Sequence, residues 1–161
     1  MNLKDLQKII PYKWRVQSFS KNKPMAQCVA YIDSRDVQKL LDEVVGAENW
    51  QDKYYSENGM LFCSIGIKCG DEWVWKTDTG SESNMDAQKG HSSDAFKRAA
   101  VKWGIGRFLY DLKIHYVKAN AVKDDGQRKL PDLKYEKFPY CIDDMGKRIW
   151  DLNEYINNLK K

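Results

Sequence analysis

The chain has 161 residues, of which 42% are hydrophobic and 31% charged, with 10 Gly and 4 Pro. That length suits one domain of ordinary size with a real core, and the composition excludes collagen-like and wholly disordered chains. No run of about 18 apolar residues offers a membrane span, and MNLKDLQKIIPYKW lacks the apolar run and cleavage site of a secretory signal, so the expected setting is cytoplasmic.

Residues 2–9 read as a short helical lead-in stopped by Pro11. YKWRVQSF at 12–19 alternates, with Tyr12, Trp14 and Val16 on one side and Lys13, Arg15 and Gln17 on the other. After the SKNKP turn, MAQCVAYI at 25–32 supplies a second strand, so 12–32 reads as a hairpin. Asp33 or Ser34 can cap a helix whose apolar residues Val37, Leu40, Leu41, Val44 and Val45 form one stripe, ended by Gly46. Trp50 opens a second strand group. Turns at Ser56–Gly59 and Gly70–Asp71 separate three apolar runs, which predicts an antiparallel meander.

DTGSESNMDAQKG at 78–90 reads as a polar loop, followed by a long helix at about 91–110 with Ser92 or Ser93 as a cap. HYVKANAV is a further strand or an extended arm. Residues 123–140, with two prolines and many charges, read as a loop. A closing helix is predicted at 147–160 on the stripe Ile149, Leu152, Ile156 and Leu159. Strands and helices are grouped rather than alternating, so the fold class is α+β with an antiparallel sheet. The expected division is a functional domain at 1–118 and a charged loop plus amphipathic helix at 119–161.

Net charge is +4, but it is segregated. Residues 1–25 carry six Lys/Arg against one Asp, residues 26–88 five against twelve acids, and residues 89–118 seven against two. Two basic segments brought together would suit a polyanion; as separate surfaces they would only be solvated lysines and arginines. The cysteines, Cys28, Cys63, Cys69 and Cys141, form no CxxC pair, and His91 and His115 stand outside any ligand spacing, so reduced core thiols and no metal or other cofactor are expected.

HSSDAFKRAAVKWGIGRFLYDL is the most informative segment. At 100° per residue, Ala95, Phe96, Ala99, Ala100, Trp103 and Gly106 share one arc, small enough to press closely on a sheet. Lys97, Arg98 and Lys102 lie on the remaining arc, with Lys89 just before it. Such cations could neutralise phosphates; an ordinary amphipathic helix with a wet side would look similar. Gly104 and Gly106 either allow close packing or end the helix early. No GxxxxGK[ST] occurs, so nothing points to nucleotide hydrolysis. The chain has six Trp, nine Tyr and five Phe; most belong in the core, and two or three could stack on bases, Tyr31 among them.

SDAFKRAAVKWGIGRFLY resembles the signature helix of the Rad-fifty-two-like single-strand annealing proteins, especially the short phage recombinases of the Sak type. PYKWR with CVAYIDSRDV resembles the family's hairpin leading into its first long helix. VVGAENW resembles the turn before the meander, and the Gly80-centred loop the connection before the signature helix. The resemblance covers about residues 10–112. It implies a hairpin and a meander packed on the long helix in a β-β-β-α core, and assembly into a homo-oligomeric ring or helical arc. It also implies single-stranded DNA held in a basic groove and ATP-independent annealing of complementary strands in recombination and repair, with no bond-making or bond-breaking active site.

Carried over residue by residue, Arg15 matches the basic residue of the first strand and Tyr31 the aromatic of the second. Lys89, Lys97 and Arg98 match basic positions at and on the signature helix. Val101 stands where some members carry a further Arg, with Lys102 beside it. The tail after about residue 118 does not match well. The compact length suits a phage gene, whose further partners would be a phage exonuclease or a single-strand binding protein; no membrane contact is expected. Two rivals remain: a metal-dependent nuclease built on DEWVWK at 71–76, whose acid and lysine spacing is not the one such sites use, and a passive DNA-binding or adaptor module that does not anneal.

Overall fold

The structure, a computed structural model, describes residues 1–20, 22–80, 87–120 and 139–159. Its strands are β1 (Lys13–Phe19), β2 (Met25–Tyr31), β3 (Trp50–Glu57), β4 (Met60–Cys69), β5 (Glu72–Thr79) and β6 (His115–Lys118). Its α-helices are α1 (Ser34–Val45), α2 (Ala87–Lys102) and α3 (Leu152–Leu159). The strands form two antiparallel sheets, ordered β1-β2-β6 and β3-β4-β5, so the class is α+β as expected. The chain groups into two discontinuous units: Met1–Pro11 with Ile32–Asp111, and Tyr12–Tyr31 with Leu112–Lys161.

In the first unit, Asp33 caps α1 through a reciprocal capping box. Its carboxylate accepts from the Asp36 amide at 2.9 Å, and its own amide donates to the Asp36 carboxylate at 2.9 Å. Val37, Leu40, Leu41 and Val45 are the buried stripe. At the far end the Trp50 indole donates to Asp42 Oδ1 at 2.7 Å and the Asn49 side-chain amide to the Val45 carbonyl at 2.8 Å, which aims the chain into β3. The meander then forms in the predicted order, with Tyr54, Cys63 and Asp78 in register across it. Cys63, Ile65 and Ile67 of β4 are fully buried on one face of this sheet.

Gly66, between them in β4, marks a close approach. A Cβ built there would lie 2.8 Å from the Trp75 indole, so the ring lies flat over the strand at this point. Gly66→Ala is expected to lift that ring and cost about 1–3 kcal/mol, read as a lower denaturant midpoint at unchanged slope. An unchanged midpoint would mean that the ring is not seated there.

The long helix differs from its prediction at both ends. It begins at Ala87, inside the segment predicted as loop, so Ser92 and Ser93 lie within it rather than capping it; Ser93 Oγ bonds Ser34 Oγ of α1 at 2.7 Å instead. It ends at Lys102 rather than near 110. The Ile105 amide reaches back to the Ala100 carbonyl at 3.1 Å, and Gly104 and Gly106 take φ of 99° and 79°. This is a left-handed helix ending that a side chain would strain. Gly104 also lets Gln7 come close, since a Cβ there would sit 2.6 Å from Gln7 Cγ. A 3-10 turn at Arg107–Asp111 follows.

In the second unit, β6 adds to the open side of β2, with His115 opposite Cys28 and Val117 opposite Ala26. Trp14, Ala26, Cys28, Val117, Cys141 and Ile156 form its core, and the Trp14 amide donates to Asn153 Oδ1 of α3. The closing helix is shorter than the predicted 147–160. Asp143 Oδ1 accepts from the amides of Met145 and Lys147 at 2.9 Å each, Ile142 bridges Arg148, and the Ile149 amide donates to the Cys141 carbonyl at 2.9 Å. That small turn takes the backbone that the apolar stripe assigned to helix. The predicted loop at 123–140 lies almost wholly outside the described residues.

All four cysteines are free thiols. Burial pushes Cys63 up to about 11, and a hydrogen bond donated to Cys141 holds the Cys28 thiol well above its ordinary range.

Candidate nucleic-acid interface

α2 is seated by small residues. Ala95, Ala99 and Ala100 are fully buried and Phe96 nearly so, with the Phe96 ring 6.2 Å from that of Trp50. The Trp103 indole, just past the helix, donates to the Ile65 carbonyl of β4 at 3.0 Å. Alanines let the helix axis come close to the sheet, and the aromatic pair fills what remains. The predicted docking arc is therefore the observed one, except that Trp103 and Gly106 lie beyond the helix.

The cations off this arc are not equivalent. Arg98 and Lys102, one turn apart, are exposed. The Arg98 side chain is 49% accessible and its Nε stands 3.8 Å from Asp78 Oδ1, a loose surface pair of the kind worth roughly 0–1 kcal/mol. Lys102 Nζ donates to the Thr77 carbonyl. Lys97 is half-buried, and its Nζ donates to the Ile32 carbonyl at 3.4 Å, so part of its hydrogen-bonding capacity serves the fold. Lys89 falls in the first turn of α2, and its side chain lies outside what the structure describes.

Two further cations join Arg98 and Lys102. Lys76 Nζ donates to the Lys102 carbonyl at 3.1 Å and stands 4.6 Å over the Trp103 ring. Arg107 donates to the Val101 and Lys102 carbonyls at 2.9 and 3.0 Å. Both satisfy helix-end carbonyls and sit at the negative end of the helix dipole. Sequence reading missed them. Lys76 reads as strand alternation, and Arg107 would point elsewhere had the helix continued to 110. The one local signal was the GIG of GIGR, which ends the helix and swings Arg107 back onto it.

The second unit carries a separate basic and aromatic face. Arg15 is exposed on β1, opposite in sense to buried Trp14, and its guanidinium lies 5.2 Å from the Tyr31 ring centroid, a cation–π contact. Strand alternation and register place Lys13 beside them, and β6 adds exposed Tyr116 and Lys118, the latter 3.1 Å from Asp144. The contribution of β6 was not legible in the sequence, because it depends on a pairing across more than eighty residues.

Among the described residues, no group of three or more His, Cys, Asp or Glu side chains converges to hold a metal, and no helix is long and apolar enough to cross a membrane.

Residues 61–128, which include most of the meander and all of α2, match the model of the Rad52/22 family double-strand break repair proteins. The chain is also 32% identical over 142 residues to the single-stranded DNA-binding protein DdrA of Deinococcus radiodurans, a match covering 83% of this chain and 67% of the relative. The chain belongs to the Rad52/22 family. The DdrA protein of Deinococcus deserti, also named a single-stranded DNA-binding protein, is 33% identical over 132 residues, covering 76% of this chain and 65% of its own length. The chain thus spans about two thirds of these curated relatives. No solved structure matches it.

Proposed function

We propose that this protein binds single-stranded DNA and anneals complementary strands in recombination and repair, without ATP. The observation that carries the reading is the row Arg98, Lys102, Lys76 and Arg107, gathered around the exposed side and end of the family's matched helix. Guanidinium and ammonium groups there can hold phosphates, which position a strand but do not read its sequence. Bases left free could then test a second strand, and duplex stacking of about 1.4 kcal/mol per step supplies the driving force.

Within this reading the DNA-binding residues expected from sequence, Arg15, Tyr31, Lys89, Lys97, Arg98 and Lys102, all in residues 1–118, are joined by Lys76 and Arg107. Annealing is the work of a homo-oligomer, ring or helical arc, in a bacterial cytoplasm. A phage or prophage source, with an exonuclease or single-strand binding protein as partner, suits the likeness to short recombinases. No bond is made or broken. A second reading has its own support: both Deinococcus relatives are named for binding single strands, not for annealing them.

The experiment mixes the purified chain with two complementary labelled oligonucleotides, without nucleotide or divalent metal, across a salt series. Pairing faster than the spontaneous rate supports annealing. Tight binding without acceleration leaves the passive module, and metal-dependent cutting would replace both readings.

A further inference from the structure

The face of the meander opposite α2 carries more aromatic surface than a solvated sheet face requires. Cys63, Ile65 and Ile67 point toward α2, so strand alternation turns Phe62, Ser64, Gly66 and Lys68 the other way. Register then sets Tyr55 beside Phe62, Lys53 beside Ser64 and Thr77, Trp75 beside Gly66, and Trp73 beside Lys68. The Tyr55 and Phe62 rings stack at 5.1 Å and 7°. The Trp75 ring lies over Gly66 with the Lys53 ammonium 4.4 Å from its centroid, and Trp73 follows at 6.4 Å. Tyr55 is 45% and Trp73 37% exposed. An antiparallel sheet with one wet face ordinarily turns polar residues outward; here four aromatic rings face outward.

We propose that this face is a stacking platform for the bases of single-stranded nucleic acid. Tyr55 and Trp73 receive bases, and Lys53, held over the Trp75 ring, and Lys68 meet the phosphates between them. The proposal rests on the single-strand reading above and adds to it a second surface, one that contacts bases rather than phosphates alone. Charge selects the occupant. Two lysines stand among the rings, against one acid, Glu57, at the sheet's end, which complements a polyanion. A second copy of this chain packed by two-fold symmetry would set the same lysines against each other, which is unfavourable, and a head-to-tail contact of the kind that builds a ring or arc is distinguished by a measurement of oligomeric mass. Aromatic platforms with flanking cations hold single strands because every base has a π-face.

The test measures binding of the full chain to labelled oligo(dT) and to a length-matched abasic oligonucleotide, which keeps the phosphates and lacks the bases. The wild type should prefer oligo(dT) by about thirtyfold or more. Tyr55→Ala with Trp73→Ala should lose roughly thirtyfold or more on oligo(dT) and change abasic binding little; Trp73→Tyr should retain most of the preference, which separates stacking from misfolding. Equal wild-type affinity for the two ligands, or a preference unchanged in the double variant, overturns the platform. A change of oligomeric mass by light scattering in the double variant, with no change in base preference, overturns it in favour of a second copy of the chain. Failure of the wild type to bind either oligonucleotide overturns the single-strand reading itself, and the platform with it.

Discussion

Arg98→Gln combined with Lys102→Gln is expected to weaken single-strand binding by on the order of tenfold or more at 0.1 M salt. The slope of log affinity against log salt should shallow by roughly 1.4, since each phosphate contact on a single strand contributes about 0.7. Glutamine keeps part of each stem and the capacity to donate hydrogen bonds while removing both charges, and neither side chain is buried, so the melting temperature should hardly move. Sequence alone would pair Lys97 with Arg98, as adjacent cations off the apolar arc. The structure changes that choice, because Lys97 is half-buried with its ammonium on the Ile32 carbonyl, whereas Lys102 makes its bond to the Thr77 carbonyl at the exposed surface, where water can replace it. Unchanged affinity and slope in the Arg98/Lys102 variant would move the phosphate contacts elsewhere, with the Arg15–Tyr31 face the next to test.

Phe96→Ala should be the most destabilising single change in the first unit, costing about 3–5 kcal/mol and lowering the melting temperature by roughly 10 °C. The ring is 2% exposed between alanines that were selected for closeness and so cannot fill its place. The neighbouring Trp50 indole is held by Asp42 and cannot swing in without losing that bond. DNA binding should fall with it, because Arg98 and Lys102 are positioned by the same helix. A loss below about 1 kcal/mol would mean that α2 is not anchored through this residue.

Some of this was legible from the sequence because its causes are local. The alternation of β1, the stripe of α1 and the alanine arc of α2 each repeat over a few residues, and the side-chain periods of strand and helix read them directly, while the turns of the meander and a cap at Asp33 or Ser34 were marked by residue type, the structure deciding for Asp33. Arg15 and Arg98 were placed off the core by the same periodicity. The helix end was only half legible. Gly104 and Gly106 allowed either close packing or termination, and it is their positive φ, with Gln7 against Gly104, that decides for termination.

What tertiary structure alone decided involves partners distant in the chain. The pairing of β6 with β2, the contact of Cys28 with Cys141, the return of Lys76 to the end of α2, and the partial commitment of Lys97 leave no periodic trace. The closing helix shows the same limit: a valid apolar stripe over 147–160 lost its first turn to hydrogen bonds that Asp143 and Cys141 offered to that backbone. Local periodicity determines which face of an element is apolar. Which backbone groups and charges that face meets depends on loop closure and packing across the whole chain, and those set the chemistry of the interface.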